Sequence, residues 1–266
     1  LSRLFRPRNI AIVGGGAWCA SVVDQCKKMG FTGPIWRVHP KGGDGIYATI
    51  ADLPQPPDAT FLGINRFATV QSVRELSALG AGGAVCFASG FSEAAAEDTA
   101  AEDLQHQLLE AAGDMPILGP NCYGFINALD AALLWPDQHG CIPVESGVAI
   151  LTQSSNIAIN LTMQARGLPI AYTVTCGNMA QTTMAEIASD LISDPRVTAV
   201  GLHVEGFSDL PAWEALARTA HELGKPIVAL KVGKSDQAQA ATISHTASLA
   251  GGDAGAAESA LGRLKG

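Results

Sequence analysis

No stretch of the sequence stays apolar for the ~18 residues that a membrane-spanning helix needs, although apolar residues fill 47% of its 266 positions. Charge is scarce at 16%, and positive charge is the scarcer sign: 17 Lys and Arg stand against 25 Asp and Glu, for a net charge of −8. That balance excludes a general nucleic-acid binder. It does not exclude an anionic ligand, because backbone N–H groups at a helix start hold phosphate without net positive charge. Paired cysteines are missing too. Cys19, Cys26, Cys86, Cys122, Cys141 and Cys176 are scattered with no C-x-x-C, so neither a zinc site nor a dithiol motif is expected, and no metal site is assigned. Several lie in apolar surroundings and read as small buried hydrophobes, which suits a reducing cytosol. No signal-peptide pattern opens the chain, so a cytoplasmic protein is expected. The first residue is Leu rather than Met, which suggests residues ahead of it.

What the sequence does have is regular punctuation. Short Val- and Ile-rich runs at 10–13, 35–38, 59–64, 83–87 and 115–118 read as strands, with helical patterns at 20–29, 68–78 and 94–111 among them. A second series places strands at 148–152, 171–175, 199–205 and 226–232, and helices at 156–166, 182–193, 210–223 and 251–264. This alternation predicts an α/β protein of two doubly wound parallel-sheet domains. The first domain is expected over 1–128 and the second over 147–266. Residues 129–146, with Pro136, Gly140 and Pro143 and no clear period, read as the linker. The second series ends on a helix, which suggests a further strand beyond Gly266.

Parallel sheets bind ligands at their strand C-termini, and four of these ends carry distinctive residues. Gly14-Gly15-Gly16 follows the first strand, but Cys19 occupies the third position of G-x-G-x-x-G/A, so the dinucleotide pattern fails. The second strand ends Arg37-Val38-His39-Pro40-Lys41, with no acidic residue for the ribose hydroxyls of NAD. Basic groups there suit a ribose phosphate, as in coenzyme A or NADP; a tight turn followed by exposed charge is the alternative. Gly119-Pro120-Asn121-Cys122-Tyr123-Gly124 is a shaped turn, structural or functional. Thr152-Gln153-Ser154-Ser155-Asn156 offers good N-caps, and so either ordinary capping or a phosphate cradle. Ser244-His245-Thr246-Ala247 follows a small polar loop, where a lone surface histidine is the plain reading.

Together and in this order, the segments resemble the NDP-forming acyl-CoA synthetase family, which includes the succinyl-CoA synthetase α-subunit and ADP-forming acetate–CoA ligases. The resemblance covers essentially the whole chain. Its first, CoA-binding Rossmann-like domain is matched at Val13-Gly14, Pro40-Lys41, Asp52-Leu53-Pro54, Ser89-Gly90-Phe91 and the intact Gly-Pro-Asn-Cys-x-Gly of 119–124. Its flavodoxin-like second domain is matched at Gln153-Ser154-Ser155, Gly177-Asn178, Val204-Glu205-Gly206 and Ser244-His245-Thr246. Two departures stand out. The first glycine turn is shorter than the family's loop, and Ser155 and Ala247 replace family glycines.

The resemblance implies an acid–thiol ligase in which His245 carries phosphate, Glu205 orients its ring, and the helix start at Ser154, Ser155 and Asn156 holds the phosphoryl group. It implies coenzyme A at Gly14, Gly15, Gly16, Arg37, Pro40, Lys41, Ser89, Gly90, Asn121 and Cys122. It also implies a carboxylic acid substrate, ATP and Mg, an ATP-grasp domain or β-subunit that these residues do not include, and an oligomeric assembly. The acid, and ATP against GTP, are left open. Trp135 and Tyr123 are candidates for lining an acyl pocket or for the core. Two other readings compete: a non-catalytic CoA- or acyl-CoA-sensing module, as in a fused acyltransferase, and an NAD(P)-dependent oxidoreductase. His245 and Glu205 favour the ligase over the sensor, and the failed glycine pattern disfavours the oxidoreductase.

Overall fold

Alternation along the first strand sorts its side chains onto two faces: Ile10 and Ile12 enter one core, Ala11 and Val13 another. A strand buried on both faces is the mark of a parallel sheet covered by helices, and this is what the computed structural model, which describes residues 1–232, contains. After the short helix α1 (Ser2–Phe5), strands β1 (Ile10–Val13), β2 (Ile35–Val38), β3 (Ile46–Tyr47), β4 (Ala59–Leu62), β5 (Ala84–Cys86) and β6 (Ile117–Leu118) form one sheet. It is parallel throughout, in the order β3-β2-β1-β4-β5-β6. Its crossovers contain α2 (Ala17–Met29), α3 (Arg66–Leu79) and α4 (Ala101–Ala112).

The second sheet departs from the all-parallel expectation. Strands β7 (Phe125–Asn127) and β8 (Ala132–Leu134) form a hairpin that pairs antiparallel onto its edge. Strands β9 (Gly147–Thr152), β10 (Ile170–Thr175), β11 (Val197–Val204) and β12 (Ile227–Lys231) are parallel, in the order β12-β11-β9-β10-β7-β8. Helices α5 (Ser155–Thr162), α6 (Met184–Ile192) and α7 (Leu210–Leu223) connect them. Residues 129–146, expected as a linker, therefore contain a strand, and β7, expected within the first unit, belongs to the second sheet.

Two helices are also shorter than their sequence pattern. The Ala-rich run 94–111 forms a 3-10 turn at Ser92–Ala94, and α4 starts only at Ala101. Asp98 is drawn away by Arg66, 2.5 Å distant, and its other oxygen accepts from the N–H of Ala100. A tertiary ion pair and a cap thus outweigh Ala propensity. The helix expected to Arg166 stops at Thr162, whose hydroxyl turns back to the Ile159 carbonyl and accepts from the Gly140 N–H. The crossing strap at Gly140 lies against the Thr162 carbonyl and blocks continuation. The segment 244–251 with His245, and the helix expected over 251–264, lie outside the described residues.

The units are joined by packing. Helix α2 lies between the first sheet and the hairpin, with the Cys26 thiol donating to the Leu133 carbonyl (3.0 Å) and the Gln25 amide to that of Asp137 (2.8 Å). Phe5 meets Phe125 edge-on at 5.1 Å, and Asn127 donates to the Phe5 carbonyl. One hydrophobic cluster consequently runs from Ile12 to Leu151 and Trp213.

Candidate functional site

Each sheet reverses its strand order at one point, β1/β4 in the first and β9/β11 in the second. There the crossovers leave to opposite faces and the loops beyond the strand ends part into a crevice. At the first crevice, Gly14 has φ +129°, and a Cβ on it would stand 2.5 Å from the Gly63 carbonyl oxygen and 2.8 Å from the Cys19 sulfur. A Cβ on Gly15 would stand 2.5 Å from the His39 ring, whose Nδ1 accepts from the Lys41 N–H. The turn after β1 and the basic end of β2 are thereby brought together, with Arg37 half-buried and Pro40 and Lys41 exposed. Gly16 stands at the N-cap of α2 with no side-chain hydrogen bond, and a Cβ there would meet nothing within 4 Å. Residues 15–18 are exposed, so the start of α2 is open to solvent, which suits an anion.

The second crevice is cross-braced by side chains. Ser154 caps α5 by accepting from the Ile157 N–H. Buried Gln153 accepts through Oε1 from the N–H of Glu205 (2.5 Å) and of Gly206 (3.2 Å), which fixes the turn after β9 to the turn after β11. Lys231 at the end of β12 donates to the Glu205 carbonyl at 2.8 Å. Ser154, Ser155 and Glu205 therefore lie around one strand-end cluster, and Asn156 is exposed on the first turn of α5.

A cleft of about 560 Å³ opens between the units. Its walls are residues 63–67 after β4, 87–89 after β5, 121–123 after β6, and Ser155 at the start of α5. The turns 119–124 and 153–156 meet at this cleft, through Asn121, Cys122 and Tyr123 of the first and Ser155 of the second. Asn121 is held at φ +59°, donating its N–H to Ala88 and its side-chain amide to Asn178. Burial pushes the Cys122 thiol well above its ordinary range, so it lines the cleft as a neutral group. Ser89 is exposed on the wall; Gly90 sits behind it, donating to Glu93 and accepting from Arg66. Glu93 also accepts from Asn178, so one carboxylate spans both units. Tyr123 lines the cleft, whereas Trp135 is fully buried against it and belongs to the core.

The sequence pattern did not single out Asn65, Arg66, Phe67, Glu93 or His203. Asn65, an N-cap following a strand, was the readable signal: it accepts from the Ala68 N–H and starts α3 at the cleft. His203 lies one residue before the end of β11, with Nδ1 3.1 Å from the Thr152 hydroxyl. Burial lowers its pKa, and the nearby Glu205 carboxylate pulls the other way. Among the described residues, no three His, Cys, Asp or Glu side chains gather as a metal site, and no helix is long and apolar enough to cross a membrane.

Comparison with known proteins bears on this arrangement. The chain is 33% identical over 264 residues to a trans-feruloyl-CoA synthase from an unknown prokaryotic organism, covering 94% of this chain and 37% of that protein. It is 26% identical to the acetate–CoA ligase (ADP-forming) II subunit alpha of Pyrococcus furiosus, covering 94% and 56%. The chain thus spans between about a third and somewhat over half of the length of these relatives. In structure it follows the apo dinucleotide-forming acetyl-coenzyme A synthetase 1 of Ca. Korarchaeum cryptofilum, with a TM-score of 0.83 at 24% identity over 98% of this chain and 57% of that one, a likeness of fold. Residues 8–128 match the model of a CoA binding domain, and residues 145–263 that of a succinyl-CoA ligase like flavodoxin domain. With these two domains in this order, the chain belongs to the NDP-forming acyl-CoA synthetase family.

Proposed function

We propose that this chain is the CoA-binding and phosphate-carrying part of an ADP-forming acyl-CoA synthetase, working with an ATP-grasp domain or subunit that supplies ATP and its Mg. The observation that carries the reading is the shared cleft, in which the Asn121-Cys122 turn of the CoA binding domain faces Ser155 of the ligase domain. A thiol brought by one domain and a phosphoryl group held by the other would meet there.

The residues present fit CoA. The open start of α2 at Gly16 suits its diphosphate, and Arg37 and Lys41 beside the Gly15 turn suit its ribose phosphate. The imidazole of His245 attacks the terminal phosphorus of ATP, and the bond to ADP breaks. A carboxylate oxygen of the acid then attacks that phosphorus, freeing His245 and giving an acyl phosphate. The CoA sulfur, having lost its proton to solvent, attacks the acyl carbon, and phosphate leaves. Glu205 orients the imidazole, and the capped start of α5 holds the phosphoryl group.

In the complete enzyme, labelled ATP should leave an acid-labile, base-stable phosphate on the protein. His245→Asn should abolish labelling and turnover while CoA still binds, and Glu205→Gln should slow turnover by roughly 10²-fold. Normal turnover of His245→Asn would overturn the phosphohistidine route and favour a CoA-sensing role.

A further inference from the structure

The cleft is short of charge and rich in rings. Aromatic residues are only 6% of the chain, yet Phe67, Phe87 and Tyr123 line this one cleft. Trp18 stands behind them, its ring 5.6 Å from Phe87 and 6.0 Å from Tyr123. Two of these rings are left open: Trp18 is 45% exposed and Phe67 is 63% exposed. Phe67 is nevertheless held in place. It sits on the first turn of α3 behind the Asn65 cap, and the Arg66 guanidinium lies 4.9 Å from its ring centre. Arg66 is itself anchored by the Gly90 carbonyl at 2.6 Å and Asp98 at 2.5 Å. A ring fixed at one face and largely uncovered elsewhere, at the mouth of a cleft, is complementary to a second flat apolar group.

We propose that the acid taken by this site carries an aromatic ring, and that Phe67 is the residue that selects it. The inference rests on the acyl-CoA synthetase reading and adds the substrate class. Among the described residues, Arg66 is the one charged residue lining the cleft, and Asp98 already neutralises it. The wall formed by the described residues therefore offers no unpaired cation for the second carboxylate of a dicarboxylic acid. The diphosphate and the ribose phosphate of CoA are assigned to the other crevice, with Gly16, Arg37 and Lys41, and the ring seat at Phe67 is left to the acyl group.

The test measures binding of CoA, acetyl-CoA and trans-cinnamoyl-CoA to the complete enzyme, wild type and with Phe67→Ala or Phe67→Tyr. Phe67 is exposed, so its truncation leaves the core intact. Cinnamoyl-CoA should bind ~10-fold or more tightly than acetyl-CoA. Phe67→Ala should erase that margin with CoA itself unchanged, and Phe67→Tyr should keep it. CoA binding with no preference between the two thioesters would overturn the aromatic class and leave the synthetase reading standing. A Phe67→Ala variant weakened equally for all three would assign Phe67 to CoA and overturn the inference. Loss of CoA binding altogether in the wild-type enzyme would overturn the reading beneath it.

Discussion

The two crevices are built by opposite means. At β1/β4, Gly14, Gly15 and Gly16 take atoms away, so that backbone approaches backbone and the start of α2 stays bare. At β9/β11, Gln153, Thr152, Ser154, His203 and Lys231 add hydrogen bonds until neighbouring loops hold one another. A long ligand that must lie against the chain calls for missing side chains. A small reacting group that must be held at one point calls for braced ones. The same strand-end geometry serves both, and the side chains decide which.

The sharpest way to break this contrast is at the bare turn. Gly14→Ala should cost about 3–5 kcal/mol, since its Cβ meets the Gly63 carbonyl and its φ of +129° strains any L side chain. Gly16→Ala, with open space around it, should stay within about 0.5 kcal/mol. Urea unfolding of both variants measures this, and equal costs would mean the turn is not built by close approach. At the braced crevice, Gln153→Leu strands the N–H groups of Glu205 and Gly206 and should cost about 2–3 kcal/mol. A cost below about 0.5 kcal/mol would show the two loops standing without that brace.

A smaller loss than at either crevice is expected at the opposite ends of the sheets, where both units use carboxylates held by arginine. A hydrogen bond from Arg196 holds the Asp194 carboxyl below its ordinary range against the opposing effect of burial, and Asp130 is held low by the same guanidinium. In the first unit, burial would raise Asp58, but Arg3 and Arg8 outweigh it and hold it low. Depressed carboxylates contribute stability that is full above their unfolded pKa, about 4, and is lost as pH falls through the folded values. Urea midpoints should therefore drop as pH falls below about 4, and Asp194→Asn should flatten that drop, by about 1–2 kcal/mol at neutral pH after solvent screening of Arg196. An unchanged acid profile would remove Asp194 from the explanation.

Much of this arrangement was legible from residue order. The apolar runs around Ile12, Phe61 and Leu151 are long enough, and sharply enough bounded, to be read as strands. Gly14, Ser154 and Asn121 were readable as shaped turns because their residue types have few other uses. The hairpin was not legible. Strands of three residues, Phe125–Asn127 and Ala132–Leu134, carry too little period to stand out, and Pro136 and Gly140 beside them read as loop. The Ala-rich run 94–111 misled because the competing partner, Arg66, lies 32 residues from Asp98. Glu93 was hidden for the same reason, since its partner Asn178 lies 85 residues on. Periodicity reports local preference, whereas these contacts are set by the fold.

The hairpin has a practical meaning for anyone dividing the chain. Residues 125–134 belong by sequence to one half and by backbone pairing to the other. A fragment starting at residue 145 would leave β10 without its neighbour β7, and all six residues of β10 are buried. Its unpaired edge would then invite another copy to dock strand to strand. The complementary fragment ending at 128 would carry β7 with nothing to pair it. The two halves are better handled as one piece, and the seam visible in the domain boundaries is a poor place to cut.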